Sequence, residues 1–528
     1  MNAPFRLSAA KVTAFALLAL TAIVFGRHLG GEFVWDDHYL IENSALMQSP
    51  SGWRGLLVTD VWEGVGGEPT RLYHPVPMIS LWMQVQMTGL SMIPLRLLNV
   101  AVHVANAWLF YRLLTRASIE PAIASAMSLV FAVHPLSVEP AMWLTGRHDT
   151  VAVLLGLAGM HASARLGEPR WPLAALAMAI TAGGAFASKE PYVVLPALYF
   201  AYAILVARLP LARASIGAAA GFAGVGVVMA IRARLHIPTV GGLPGVPIAE
   251  QLRAYGTIAG VYGGYALSLT AGPTTRSYQG WGLPGAVAVT LAIAAAGLGS
   301  LWRAAKGSQT GARVAFGLAW FAISLSPHVV SLPTLGVLGN RYGYFPLLGL
   351  LFALGALVDD LRARARPALR SVVSVAVFVP ILIEAPVSSG MASLWTSDID
   401  LFGADFVENP DDPQTLYFLG SALERRGGCA AALGYFEKAA ENAPDMARAS
   451  QSLTACLVRV GKGAQAIAPA QNALRLAPSG ANLYNLALAL EQAGRLEEAA
   501  TVARRAVQVA PANAAFQELL ARVGERRP

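Results

Sequence analysis

Val372-Val-Ser-Val-Ala-Val-Phe-Val-Pro-Ile-Leu-Ile383 runs twelve residues without a charge, whereas Leu423–Pro528 reads like an ordinary soluble chain. That change of composition decides the architecture. Over all 528 residues, 55% are hydrophobic and 13% are charged, and the mean hydropathy is +0.51. Soluble domains carry roughly 25% charged residues, so lipid is the main solvent for most of this chain. The shift falls within Pro386–Asp411. It predicts a membrane body over 1–390 and a soluble tail over 391–528.

Working back from Val372, apolar runs near the ~20 residues that cross a bilayer recur. They are Val12–Gly26, Leu95–Leu114, Ala122–Val138, Thr150–Ala164, Trp171–Ala187, Val193–Ala207, Ile216–Ile231, Leu283–Trp302, Val314–Val330, Phe345–Val358 and Ser371–Ile383, eleven in all. The first follows Arg6 and Lys11 without a small-x-small cleavage site after it, so it reads as a retained helix. Tyr255–Leu269 is rich in Gly and Tyr and reads as interfacial or re-entrant.

The net charge of +8 does not point to nucleic acid, because the body's Arg and Lys cluster between apolar runs, as topology determinants do. Arg6/Lys11, Arg112/Arg116, Arg165/Arg170, Arg208/Arg213, Arg303/Lys306/Arg313 and Arg362/Arg364/Arg366/Arg370 share one side if Tyr255–Leu269 does not span. That side is then cytoplasmic, and eleven spans carry the tail outside. The Arg bias and the abundance of Ala and Gly suggest a bacterial genome, so the expected place is a bacterial inner membrane with the tail periplasmic.

Working forward, Pro410, Pro444, Pro478 and Pro511 are spaced 34, 34 and 33 residues apart, and Gly427, Gly461 and Gly494 keep the same step. Asn482-Leu-Tyr-Asn-Leu-Ala-Leu-Ala-Leu-Glu-Gln-Ala-Gly-Arg-Leu-Glu-Glu-Ala499 is the clearest unit. A 34-residue period with Gly at the turn predicts three tetratricopeptide (TPR) repeats, with Ala514–Arg526 as a capping helix. Stacked repeats present a concave surface for a protein partner. The only cysteines, Cys429 and Cys456, are expected at facing ends of consecutive helices, where either a disulfide or two unpaired buried thiols would fit, and they lack zinc-type spacing.

Chemistry concentrates at the loop-bearing ends of the apolar runs. Residues 30–94 form the expected outer loop, opening on Asp36-Asp37. A carboxylate there suits a general base or a divalent cation, and equally a helix cap. On the same face the topology gathers His74, His134, Glu139, Arg147, His148, Asp149, Lys189, Glu190, Arg341 and Tyr342. Ionisable groups at that depth mark a polar cavity or a partner. Arg suits a phosphate through its forked donors.

Phe33-Val-Trp-Asp-Asp37, Leu97-Leu-Asn-Val-Ala-Val-His-Val-Ala-Asn106, Leu129-Val-Phe-Ala-Val-His-Pro-Leu-Ser-Val-Glu-Pro140, Gly146-Arg-His-Asp149, Ser188-Lys-Glu190 and Asn340-Arg-Tyr-Gly-Tyr344 occur in this order. With the repeat tail, the chain resembles the transmembrane-and-TPR O-mannosyltransferases and their bacterial relatives. It departs from them at His74-Pro75-Val76-Pro77 and in its short repeat array. The resemblance implies an all-α fold: a GT-C-type glycosyltransferase body followed by a TPR solenoid. It implies transfer of a sugar, mannose, from a polyprenyl-phosphate donor to Ser/Thr hydroxyls of exported proteins, with inversion. Asp36 or Asp37 would be the base, and Arg147, Lys189 and Arg341 would hold the phosphate. Metal use is left open by the family, with Asp36 and Asp37 as the ligands if a divalent cation binds.

Two other readings stand beside this one. The same donor chemistry can serve a lipid or cell-wall glycan acceptor. Alternatively, the helices only anchor a TPR scaffold that recruits partners without catalysis; such a scaffold has no need of acidic and basic residues spread over several loops. A transporter fits less well, because the ionisable residues sit near helix ends rather than at the midplane.

Overall fold

Short polar side chains set where the helices begin. Ser8 accepts from the amide of Lys11 ahead of Ala9–Phe25, and Ser308 from that of Gly311 ahead of Gln309–Leu325. Glu120 accepts from Ala122 and Ile123 at the start of Pro121–Val133. Each meets a first-turn donor that a helix leaves open. The computed structural model describes residues 8–65, 71–238, 247–272, 276–277, 282–329 and 337–525, which are helical apart from turns, loops and two two-residue strands. They form two compact units, divided between Ser397 and Asp398, with Arg276–Ser277 grouped with the second.

Among the described residues of the first unit, six helices are long and apolar enough to cross a membrane: Ala9–His28, Met92–Arg116, Leu211–Arg234, Leu283–Ala305, Arg341–Arg364 and Pro367–Leu394. Pro121–Val133 and Pro135–Met142 make a seventh if counted as one span, bent by 57° at His134. This corrects the expected eleven. The Thr150 and Val314 runs lie in Arg147–Ser163 and Gln309–Leu325, 17 residues each. Trp171–Phe186 has 16, and the Val193 run is divided between the turn Glu190–Val194 and Leu195–Leu205. At ~1.5 Å per residue such helices reach ~26 Å, short of the ~30 Å hydrocarbon core. The Tyr255 run belongs to Ile248–Ser268, whose Glu250 and Arg253 add charge to its glycines and tyrosines; it is not among the six. Parity follows the count: six crossings leave both chain ends on one side, and seven separate them.

Close backbone approach and buried polar bonds hold these helices together. A Cβ on Gly317 would stand 2.6 Å from the carbonyl oxygen of Gly349, and one on Gly349 2.6 Å from the amide nitrogen of Phe321. Gln309–Leu325 and Arg341–Arg364 therefore meet at glycine, as small residues permit between helices in lipid. The Tyr344 hydroxyl bonds His103 Nδ1 at 2.7 Å and accepts from Asn106 Nδ2 at 3.1 Å, tying Met92–Arg116 to the same helix. Buried Arg96 donates to the carbonyls of His28, Gly30, Glu32 and Trp395. One guanidinium thus fixes both the start of the first loop and the end of the last body helix. That helix, Val379–Leu394, runs through the expected boundary at 390. It stays with the body because Ser388 Oγ donates to the carbonyl of Val133 at 2.5 Å.

The second unit is a row of helical hairpins: Pro413–Gly427 with Cys429–Asn442, Ala447–Arg459 with Gly463–Leu476, and Gly480–Gln492 with Leu496–Val509, closed by Ala514–Glu525. The turn glycines with positive φ are Gly428, Gly461 and Gly494, at +76°, +77° and +77°. In the first repeat Gly428, not Gly427, makes the turn, and the step becomes an even 33. Ala439, Ala473 and Ala506, one in each repeat, are buried, in keeping with the 33–34-residue helix–turn–helix pattern of tetratricopeptide repeats. Cys429 and Cys456 are bonded, with Cα atoms 4.9 Å apart.

Candidate active site

The first loop leaves the Arg96 clamp and turns at Trp35, whose φ of +60° is left-handed. A non-glycine residue there costs on the order of 1–3 kcal/mol and persists only when its surroundings hold it. The Trp35 indole stacks on that of Trp143, with centroids 5.1 Å apart and planes 20° apart. The turn gives the two following carboxylates different environments. Asp36 is partly exposed. Asp37 is 1% exposed, with Oδ1 accepting from the amide (3.0 Å) and hydroxyl (2.6 Å) of Thr145. Burial pushes the Asp37 pKa up to about 7, against the lowering effect of the Thr145 bonds and the Arg96 charge.

The second component is the break at His134. Pro135 brings no N–H, and His134 Nδ1 instead accepts from the amide of Leu136 at 3.1 Å. The chain resumes in Val138–Met142 and delivers Glu139 to Arg341 at the start of Arg341–Arg364. Glu139 Oε1 lies 2.5 Å from Arg341 Nη1, and its Oε2 accepts from the Arg341 amide at 3.2 Å. The guanidinium carbon stands 5.2 Å from the rings of both Trp35 and Trp143, and 4.7 Å from that of Tyr342. Arg341 is thus enclosed by three aromatic faces and one carboxylate, an arrangement favourable to a cation.

Across from it, Lys189 Nζ lies 2.6 Å from Asp149 Oδ2 and 5.4 Å from the Tyr342 ring. A cavity of about 10 Å³ lies among Asp149, Lys189, Tyr192, His328, Arg341 and Tyr342, room for about one water molecule. A third group adjoins it. Glu190 holds His74 Nε2 at 2.6 Å and Arg232 Nη1 at 2.8 Å, and the His74 ring meets that of His148 at 4.8 Å.

The structure therefore joins Asp149, Lys189, Arg341 and Tyr342 around one cavity, with Glu139 paired to Arg341 and with His74, His148 and Glu190 beside it. It does not bring Arg147 to them. That side chain is 0% exposed and donates to Asn99 Oδ1 (2.6 Å), Ser80 Oγ (3.3 Å), Gln84 Oε1 (2.7 Å) and the carbonyl of Leu95 (3.0 Å). Asn99 in turn donates to the Trp143 carbonyl at 2.7 Å, so Arg147 braces the site from behind. His134 is likewise buried in the break rather than set on a surface. Sequence reasoning missed Trp143, Thr145, Arg96 and Arg232. Trp143 and Thr145 sit in the short stretch between Glu139-Pro140 and Gly146-Arg147, and that position was the available signal.

Asp36 and Asp37 were the expected ligands of a divalent cation. Among the described residues, three ligand atoms of His, Cys, Asp or Glu converge only at Glu424, Cys429 and Cys456, in the tail. Asp37 Oδ1 accepts two donors from Thr145, and no step below uses a cation.

Fold and site together define a polytopic helical membrane protein with a helical-repeat tail and a buried cation–carboxylate site beside its first loop. Over part of its length the chain is similar to protein O-mannosyl-transferases. It is 30% identical to TMTC1 of Homo sapiens over 154 residues, 28% of this chain and 17% of that protein. It is 31% identical to TMTC1 of Mus musculus over 150 residues (27% and 16%) and 26% identical to a protein O-mannosyl-transferase of Caenorhabditis elegans over 149 residues (27% and 22%). The matches span less than a quarter of those relatives' lengths. No protein-family model matches the chain. Among solved structures, MamA of Desulfovibrio magneticus RS-1 aligns with 32% of this chain and 83% of its own at 20% identity and a TM-score of 0.24. The TPR protein YrrB aligns with 32% and 80% at 17% identity and a TM-score of 0.22. At such TM-scores neither likeness bears on the fold.

Proposed function

We propose that this protein transfers a sugar, mannose, from a polyprenyl-phosphate donor to Ser/Thr hydroxyls of acceptor proteins. One observation carries the reading: Trp35, the residue before Asp36, stacks against Trp143 and faces Arg341 at 5.2 Å. The candidate base and a candidate phosphate holder therefore share one neighbourhood, as single-step displacement requires. Asp36, the accessible carboxylate, takes the proton from the acceptor hydroxyl as that oxygen attacks the anomeric carbon. The bond from that carbon to the phosphate oxygen breaks, and the configuration inverts. Charge grows on the departing phosphate, and Arg341 and Lys189 stabilise it through donors not engaged by Glu139 and Asp149. Asp37 fixes the turn that aims Asp36. The cavity has room for about one water molecule and must widen when the donor enters. Taking the bent pair as the seventh crossing and the N-terminus as inside, we place the site and the tail on the periplasmic face of a bacterial inner membrane, with the tail offering its repeats to the acceptor.

The test is transfer from a synthetic mannosyl-phosphoryl polyprenol to a Ser/Thr peptide by the detergent-purified chain. Loss of transfer in Asp36→Asn, in a protein that elutes and melts like wild type, supports the assignment. Undiminished transfer in that variant removes Asp36 from the mechanism.

A further inference from the structure

The break at His134 brings Glu139 to Arg341, and side chains of another helix face that break. Glu384 lies on Val379–Leu394, inside the candidate span Pro367–Leu394. Its side chain and that of His134 are both 0% exposed, with Glu384 Oε1 3.8 Å from His134 Nε2. Neither oxygen of Glu384, nor His134 Nε2, has a hydrogen-bond partner among the described residues. A polar group left so in a membrane helix is costly and marks a site or a partner. His134 Nδ1 accepts from the Leu136 amide, so a neutral ring carries its proton on Nε2, which faces Glu384 Oε1 at 3.8 Å, with the backbone of Ala266 also beside the ring. One turn further along the same helix, Ser388 Oγ donates to the carbonyl of Val133 at 2.5 Å. A helix that breaks at Pro135 frees carbonyls of its last turn, and Ser388 satisfies one of them. On the other side of the break Ser137 Oγ returns to the Phe131 carbonyl at 2.9 Å. Ser388 therefore bonds Val133, and Glu384 faces the next residue, His134, at 3.8 Å, both at the hinge of the bend.

We propose that Glu384 is a positioning residue of the candidate site: through His134 it sets the bend that carries Glu139 to Arg341. The proposal rests on the glycosyl-transfer reading for its consequence in catalysis, though not for the contact itself. The interaction needs an acceptor oxygen facing Nε2–H and does not need a negative charge. Gln keeps that oxygen and Leu removes it.

The experiment uses the full chain in detergent and reads two things. Amide hydrogen exchange is followed by mass spectrometry over peptides covering 134–142 and the start of Arg341–Arg364, whose Arg341 amide donates to Glu139. Mannosyl transfer is measured separately. Expected are wild-type exchange and transfer in Glu384→Gln, and faster exchange in both peptides for Glu384→Leu. In Glu384→Leu, kcat falls about tenfold or more with KM for the peptide unchanged, as misplacement of a site group produces. Combining Glu384→Leu with His134→Leu should add no further loss, because the two act as one unit. Wild-type exchange in Glu384→Leu would overturn the proposal, as would a Gln variant as impaired as Leu. Should Glu384→Leu fail to fold, Gln against wild type and His134→Leu still decide it. A wild-type protein that transfers no sugar counts against the proposed function alone, because the exchange arm stands without it.

Discussion

At the residue scale, adjacent aspartates take different tasks. Asp36→Asn should lower transfer by about 10²-fold or more, the usual worth of a positioned base. Asp37→Asn should be milder in activity and visible in pH dependence. Burial raises the Asp37 pKa to about 7 from an ordinary 3.8, so the folded protein holds a proton there that the unfolded chain releases. That contribution to stability is full below about pH 4 and lost as pH rises through about 7. The wild type should therefore lose melting temperature between about pH 4 and 7, and Asp37→Asn should flatten the slope; equal slopes would remove Asp37 as its source. For Arg341, Lys keeps the charge and gives up the fork and the aromatic enclosure. Arg341→Lys should raise the apparent KM for the lipid donor about tenfold, and Arg341→Ala more, measured at saturating peptide. The residue types of this site were legible in the chain: paired carboxylates, arginines and histidines at helix ends. The role of Arg147 was not, because its partners Ser80, Gln84, Leu95 and Asn99 come from two other helices and only packing assigns them.

At the scale of elements, hydropathy located every apolar run and overcounted the crossings. A run such as Thr150–Ala164 looks complete in composition, yet its helix begins in Arg147-His148-Asp149, buried against neighbours. Length and burial decide, and neither is local. The bend at His134 was legible only as a Pro inside an apolar run; the 57° and the grip from Val379–Leu394 depend on residues some 250 positions away. The glycine contact gives an element-scale prediction. Gly349→Leu places a side chain where a Cβ alone meets backbone at 2.6 Å, and it should destabilise the body by roughly 1–3 kcal/mol or more. Because Tyr342 and Arg341 lie on the same helix, transfer should fall with it. A melting temperature unchanged from wild type would contradict the close packing.

At the scale of the whole molecule, the repeat period gives the tail's three hairpins, since prolines and glycines mark their turns, while the preceding helix Asp398–Glu408 lies outside the period. Its cysteines test where it resides. With Cα atoms 4.9 Å apart they are placed for a bridge, which persists in an oxidising compartment. Thiol labelling of denatured, unreduced protein from membranes should find no free cysteine; two per chain would contradict a periplasmic tail. The central claim is transfer of a sugar from a lipid phosphate to protein. It is tested most directly by incubating the purified full chain with polyprenol phosphate labelled in its mannose and a Ser/Thr-containing peptide. Mass spectrometry then locates the label. Mannose on a Ser or Thr oxygen, with the anomeric configuration inverted and the product absent from Asp36→Asn, is the predicted result. No labelled peptide from correctly folded wild type, or retained configuration, would contradict it.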